Sequence, residues 1–286
     1  MAEVFGIVAS ALSVAALFNN CVDCFEYIQL GRHFGQDYQM CQLKLDVART
    51  RLSRWGEAVR VNEDAVFGTN TPVEQPVELA QSILEGIIDL FQSAYKTSRR
   101  YEKTAKAEEL VLYEEKDLML LFRRLHDRLK GFAHRRREQK DIGLVKKTAW
   151  ALYDGREFER TIDRIISFVD ELEKLFPVNA TCRQLAEMEI EEVEDEQTLA
   201  ELKEAAQDTD EALLAAITRK PITIGSRNSA REVRGAGNAD VQVGNQYSEE
   251  MLRGGAITEQ TSNSAEVVDA KDRARVQIGG RFGVHF

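Results

Sequence analysis

Near its C-terminal end the chain writes one pattern twice, "ADVQVGNQY" at 239–247 and "ARVQIGGRF" at 274–282. With 222–247 set over 257–282 without a gap, ten of the 26 positions are identical. These are Ile222/Ile257, Thr223/Thr258, Asn228/Asn263, Ser229/Ser264, Ala230/Ala265, Val233/Val268, Ala239/Ala274, Val241/Val276, Gln242/Gln277 and Gly244/Gly279, with Val243/Ile278 and Tyr247/Phe282 close to identical. Self-similarity at a fixed period is the mark of stacked structural units. Three aligned positions invert their charge instead of repeating it: Arg231 with Glu266, Arg234 with Asp269, and Asp240 with Arg275. In-register stacking accounts for this, because like charges about 4.8 Å apart repel while opposite ones stabilise by roughly 0.2–1 kcal/mol per pair.

Each repeat therefore reads as one β-rung. Asn228/Asn263 and Gln242/Gln277 are placed for amide ladders, and Val241/Val276 and Val243/Ile278 for an inward apolar face. The connector "SEEMLRGGA" (248–256) is long enough to return the chain to the next layer. Two rungs leave a bare edge above and below, which is a template for another copy, so a lone tail is expected to be disordered and a polymer ordered. A disordered tail carrying two docking motifs also explains repetition, but not three inverted charges. Ile224 aligned with Glu259 fits the rung poorly and is placed outside the packed part.

The tail differs in composition from what precedes it. Between 221 and 286 lie nine of the 18 glycines, a single leucine (Leu252), and eight basic against eight acidic residues. The net charge of −10 thus belongs to residues 1–220, where the periodicity is helical and the expectation is an all-α bundle. Helices are expected over 38–59, along the stripe Leu79–Tyr95, over about 116–138, ending at Asp154–Gly155, and over 156–176, 179–193 and 196–218, with a loop at 62–76. Any β-structure there is expected to be at most a short hairpin.

Nineteen residues from Val4 to Val22 carry no charge. As a helix they would be about 28 Å long against a hydrocarbon core of roughly 30 Å. The segment, with Val4, Phe5, Ile7, Val8, Ala11, Leu12, Val14, Leu17 and Phe18 as its apolar residues, is long enough barely to span a bilayer and equally suited to a buried core helix. Glu3 and the following Asn19–Asn20 do not fit a signal peptide.

Other classes find little support. A net charge of −10 argues against nucleic-acid binding. Cys21, Cys24, Cys41 and Cys182 are too scattered for a disulfide scaffold, and the CxxC at 21–24 sits in an apolar helical stretch as two packed thiols. No phosphate loop, nucleophile elbow or zinc helix occurs, and His33, His126, His134 and His285 lie in separate segments except for the middle pair. The expectation is no enzyme, no catalytic or metal-ligating set and no cofactor. The acidic run 187–196 reads as a solvated helix end. The basic run 123–140 reads first as a helix face balancing acidic neighbours, and second as a surface for anionic lipid or an acidic partner.

Taken together, "FGIVASALSVAALFNNCVDCFEYIQLGR" (5–32), "RLSRWGEAV" (51–59), "KKTAWALYDG" (146–155) and "EIEEVEDE" (189–196), followed by "RNSAREV", "ADVQVGN", "SNSAEVV" and "ARVQIGG", resemble the fungal heterokaryon-incompatibility prion family over essentially the whole length. The resemblance implies a HeLo helical effector domain over 1–220 and a prion-forming domain over 221–286, disordered alone and a two-rung β-solenoid in amyloid. The rung residues would be Ile222, Asn228, Ala230, Val233, Ala239, Val241, Val243, Gly244 and Tyr247 against Ile257, Asn263, Ala265, Val268, Ala274, Val276, Ile278, Gly279 and Phe282. It also implies a cytoplasmic protein that templates itself, an allelic or homologous prion partner, and an upstream nucleotide-binding receptor-like protein with a related repeat. Amyloid in the tail would free the N-terminal segment to insert into plasma-membrane lipid and kill the cell. Some members of the family only propagate the prion, and the alternative here is such a non-toxic partner or an interaction scaffold. Two departures bear on fibril stability: Asn245 aligns with Gly280, and the aromatic terminus is shortened to "RFGVHF".

Overall fold

The structure, a computed structural model, describes residues 12–68, 75–137, 149–193, 195–220, 227–243, 246–247, 262–278 and 281–282. Two compact units partition the chain: one takes 1–191 and 201–218, the other 192–200 and 219–286.

The helical unit is built around α2 (Tyr38–Ala58), of which 15 residues are buried on every side. A helix buried all round must lie at the centre of a bundle, and α1 (Val14–Cys24), α5 (Leu120–Arg136), α6 (Gly155–Leu175) and α7 (Asn179–Ile190) pack against it. The long α4 (Gln75–Glu102) is amphipathic, burying Leu84, Ile87, Ile88 and Phe91, and lies against α1 and α6. Within 62–76, read as a loop, a single helical turn α3 (Ala65–Gly68) sets Phe67 into the core against Phe176.

Three expectations are corrected. The segment ending at Gly155 is not the end of a helix: Trp150–Leu152 is a strand, β2, paired parallel with β1 (Ile28–Leu30), and all three of its residues are buried. Nor is the pair a hairpin, since about 120 residues separate the strands. Asp154 is not a helix stop but the N-cap of α6, its carboxylate accepting from the amides of Arg156 and Glu157. The second correction concerns 196–218, which forms two helices, α8 (Glu196–Ala206) and α9 (Glu211–Arg219), broken where Asp208 takes φ +60°.

The break exists because the connector is held by α2. Arg51 donates to the Thr209 carbonyl at 3.0 Å, and Arg54 donates to Asp210 at 2.9 Å. Arg54 is 1% exposed and also donates through Nε to Glu189 at 3.0 Å, while Arg136 pairs with the same Glu189. Two guanidinium and two carboxylate groups thus neutralise one another out of water. The acidic neighbours hold Arg54 firmly charged against the cost of its burial. Glu189 was read as part of a solvated acidic run and is instead 1% exposed. Its neighbours Glu187 and Glu191 are solvated.

Helix α1 starts at Val14, with the Ser13 hydroxyl capping the Ala16 amide. It approaches α2 so closely that a Cβ on Gly56 would stand 2.2 Å from the Phe18 ring. Phe18 is wholly buried and packs on Trp55 with ring centroids 6.1 Å apart.

Among the described residues the second unit carries six short strands in three parallel pairs. β3 (Arg227–Gly235) pairs with β6 (Ser262–Ala270), β4 (Asp240–Val243) with β7 (Arg275–Ile278), and β5 (Gln246–Tyr247) with β8 (Arg281–Phe282).

Removing one cation from the buried cluster leaves two carboxylates sharing what remains. Arg54→Met is expected to lower stability by about 3–5 kcal/mol, read as a large fall in the thermal midpoint of the helical signal. Gly56→Ala carries the opposite sign from an ordinary helix substitution. Glycine to alanine inside a helix normally stabilises by roughly 0.5–1 kcal/mol, whereas displacing Phe18 is expected to cost about 1–3 kcal/mol. Denaturant unfolding of the variant decides between them.

Candidate functional site

The pairs of the second unit all carry one offset. Asn228 lies beside Asn263, Ala230 beside Ala265, Val233 beside Val268 and Arg234 beside Asp269. Asp240 lies beside Arg275, Val241 beside Val276, Gln242 beside Gln277, Val243 beside Ile278, and Tyr247 beside Phe282. Each partner stands 35 positions along the chain. The ladder runs on through the intervening turn, where Lys271, Arg273 and Arg275 donate to the carbonyls of Gly235, Gly237 and Ala239 at 2.8, 2.9 and 2.8 Å. Ala239 and Ala274 close the two turns by donating back to Ala236 and Lys271. Ile222, Gly244, Ile257 and Gly279, together with Ile224 and Glu259 and the departures at Asn245 and Gly280, lie outside the described residues. So do the side chains of Asn228, Arg231, Tyr247, Asn263, Glu266 and Phe282, whose backbone falls within the strands.

The corner between β3 and β4 is tight. A Cβ on Gly235 would meet the Ala274 Cβ at 3.1 Å and one methyl each of Val241 and Val276 at 3.7 Å. These small and branched residues form the apolar inside of the pair of rungs, together with Val233, which is 6% exposed. Val268 and Ile278, by contrast, are 46% and 40% exposed. Within two rungs each layer is covered on one side only, and apolar surface on the other side stays in water. The charges show the same incompleteness. Arg234 and Asp269 face each other in register, yet Arg234 Nε donates to Glu232 of its own strand at 2.7 Å, and Asp269 pairs with Lys271 at 3.6 Å.

The N-terminal segment is seen from Leu12 onward; Val4, Phe5, Ile7, Val8 and Ala11 lie outside the described residues. Leu12 precedes the helix and is half-buried, while Val14, Leu17 and Phe18 are buried in α1. The far end of α1 is tied down by charge: Asp23 pairs with Arg137, and Glu26 with Arg49. Cys21 donates to the Leu84 carbonyl at 3.3 Å, and burial pushes the Cys24 thiol up to about 12 and that of Cys21 well above its ordinary value. All four cysteines are free and buried. No helix among the described residues is long and apolar enough to cross a membrane.

One cluster resembles reactive chemistry. His126 places Nδ1 2.8 Å from Asp46 and Nε2 3.4 Å from Glu115, beside a cavity of about 400 Å³. Burial works to lower its pKa, and the Asp46 carboxylate overcomes this and raises it above the ordinary value. The cavity lining holds no serine, threonine or cysteine for such a base to activate. Among the described residues no His, Cys, Asp and Glu group is placed to hold a metal. The basic run is mostly engaged within the helical unit: Arg128 donates to the Glu189 carbonyl, Lys130 pairs with Glu115, and the Phe132 ring is flanked by Arg128, Arg135 and Arg136.

Comparison with known proteins agrees with both units. Residues 6–202 match the HeLo family, described as prion-inhibition and propagation, and residues 220–283 match the family Het-s 218-289. The chain is 54% identical to heterokaryon incompatibility protein s of Podospora anserina and 53% identical to heterokaryon incompatibility protein S, each over 99% of this chain and 98% of the relative. The solved N-terminal domain of HET-S superposes with a TM-score of 0.74 at 56% identity, covering 77% of this chain and 98% of that one. A substituted HET-s N-terminal domain gives 0.70 at 55%, over 73% and 98%. A helical HeLo fold joined to a tail of two stacked repeats places this chain in the family of the fungal heterokaryon-incompatibility prion proteins.

Proposed function

We propose that the chain is a self-templating amyloid signalling protein of heterokaryon incompatibility whose helical unit acts on membranes. The observation that carries this reading is the in-register parallel pairing of the two repeats at a constant offset of 35 residues, with each sheet two strands wide among the described residues. A two-stranded sheet is marginal alone, and half-exposed Val268 and Ile278 mark a surface that a further rung of the same sequence covers. The residues set out above as rungs and charge pairs would then form the amyloid core, repeating through successive chains. The heterokaryon-incompatibility relatives fit as allelic or homologous partners because they align with this chain over 99% of its length, which takes in the tail. An upstream nucleotide-binding receptor-like protein with a related repeat is the proposed trigger.

The effector step is proposed for the N-terminal segment. Residues 4–22 become one apolar helix able to enter plasma-membrane lipid only if Val14, Leu17 and Phe18 leave the core. The resting protein would be cytoplasmic, with α1 held by Phe18 against Gly56 and by Asp23 against Arg137. The family also contains members that propagate without killing. Toxicity in this chain turns on how readily α1 is released, a difference small beside the whole folding free energy.

The test uses the full chain, seeded with its own fibres in the presence of dye-loaded liposomes containing anionic lipid. Fibres with a cross-β spacing near roughly 4.7 Å and release of dye are expected. Val241→Asp or Val276→Asp is expected to abolish both, because a charge is then buried in every second layer; ordinary fibres from either variant would remove the rung reading. Ala11→Asp is expected to leave fibres and abolish leakage. Undiminished leakage from that variant would remove the N-terminal segment from the mechanism, and fibres without any leakage would leave a prion that does not kill.

A further inference from the structure

The two turns that join the strands of each rung are alike in backbone and unlike in chemistry. Gly237 has φ +67° and its counterpart Asp272 has φ +62°, so both occupy the left-handed region. Glycine adopts it freely; aspartate is among the few other residues that tolerate it. Rung two nonetheless places an aspartate there, and the Asp272 carboxylate accepts a hydrogen bond from the Gly237 amide of rung one at 3.2 Å. On either side the contact between rungs is backbone ladder, Lys271 to Gly235 and Arg273 to Gly237. At the apex a side chain of one rung reaches the main chain of the other, and a Cβ at Gly237 would meet no atom within 4 Å, so a side chain fits at either apex.

The residues flanking the apex differ as well. Rung one reads Ala236–Gly237–Asn238 and rung two Lys271–Asp272–Arg273. Were rung two stacked on another rung two, all three charges would meet their like at about 4.8 Å. In an alternating stack the neutral turn stands between, and the separation doubles to about 9.6 Å. Alternation of the strands in and out fixes which face is inward but not which rung follows which. The turns supply that information.

We propose that Asp272 is a positioning residue that fixes rung two on rung one of its own chain and, with Lys271 and Arg273, imposes the order one–two–one–two along the stack. The inference rests on the amyloid reading above. Because each rung is a translation of the last, a carboxylate at position 272 always reaches back to position 237 of the same chain. A carboxylate moved to position 237 would reach back to position 272 of the chain stacked before it. The bond would pass from the interface within chains to the interface between them, with its number per chain unchanged.

This makes the test a matter of sign. Full-length wild type, Asp272→Gly, and the double exchange Gly237→Asp with Asp272→Gly are each seeded with their own fibres. At plateau the residual soluble protein is measured after sedimentation. Asp272→Gly relieves a left-handed aspartate, so a purely conformational role predicts less soluble protein than wild type. Loss of a charge-assisted bond per chain predicts more, by about fivefold. The double exchange is expected to return to the wild-type level, since it restores one bond per chain. Soluble protein equal to or below wild type for Asp272→Gly overturns the inference, as does a double exchange that stays as soluble as Asp272→Gly. A wild-type chain that forms no fibres at all removes the proposed function itself, an outcome distinct from fibres that are indifferent to Asp272.

Discussion

The helical unit depends on a guanidinium buried where no water reaches it. Arg54 sits near the C-terminal end of α2, 1% exposed, and can remain charged there only because Glu189 and Asp210 are brought to it from two other parts of the chain. The cost of taking four charged groups out of water is offset only when each has its partner in place. The cluster therefore couples the position of α7 and of the α8–α9 connector to that of α2. Breaking the connector into two helices, with Asp208 in a left-handed conformation, follows from the same demand. Ordinary apolar packing tolerates small adjustments; a network of this kind does not.

The same helix is the bed on which α1 lies. Gly56 permits Phe18 to reach the axis of α2, and the approach is closer than any side chain at 56 would allow. At its other end α1 is held by a surface-proximal ion pair, Asp23 with Arg137. An apolar helix held by shape along its middle and by charge at its end is stable in water while both contacts persist.

The tail follows a different logic. Its order arises from sequence repeating itself at a distance, so that each side chain meets its own counterpart. Two rungs satisfy this on one side of each layer, which leaves Val268 and Ile278 half in water and Arg234 and Asp269 paired within their own rungs. On the proposed reading, incompleteness in one chain would make addition of the next favourable, and the Asp272 carboxylate on the Gly237 amide would make the additions directional.

Much of this was legible in the residues. The offset of 35, the pairing of Asn228 with Asn263 and Val241 with Val276, and the placement of opposite charges at 234/269 and 240/275 follow from alignment alone. So does most of the extent of α2: of the periodic residues Leu45, Ala48, Leu52, Trp55 and Val59, the first four are buried and Val59, half-buried, caps the helix. Trp150–Leu152 was misread because three buried residues have no period, and their strand exists only through β1, about 120 positions away. The α8–α9 break was missed because 196–218 is periodic throughout; Arg51 and Arg54 impose the interruption from outside. Glu189 looked like one acid among many. A run of charges gives no sign of which member faces inward, and the only hint was the unusual arginine content of a helix otherwise patterned for burial.

Sequence by itself determined everything that depends on periodicity: helices where apolar residues recur at helical spacing, rungs where a pattern recurs at 35, and opposite charges where stacking would otherwise set like beside like. Tertiary structure alone decided what depends on a partner remote in the chain. That covers β2, the break before α9, the burial of Arg54, Glu189 and Asp210, the approach of Phe18 to Gly56, and the carboxylate that bridges the two turns. Period is a local property that each residue shares with its neighbours, whereas a buried charge or a missing Cβ has meaning only through the atom that comes to meet it.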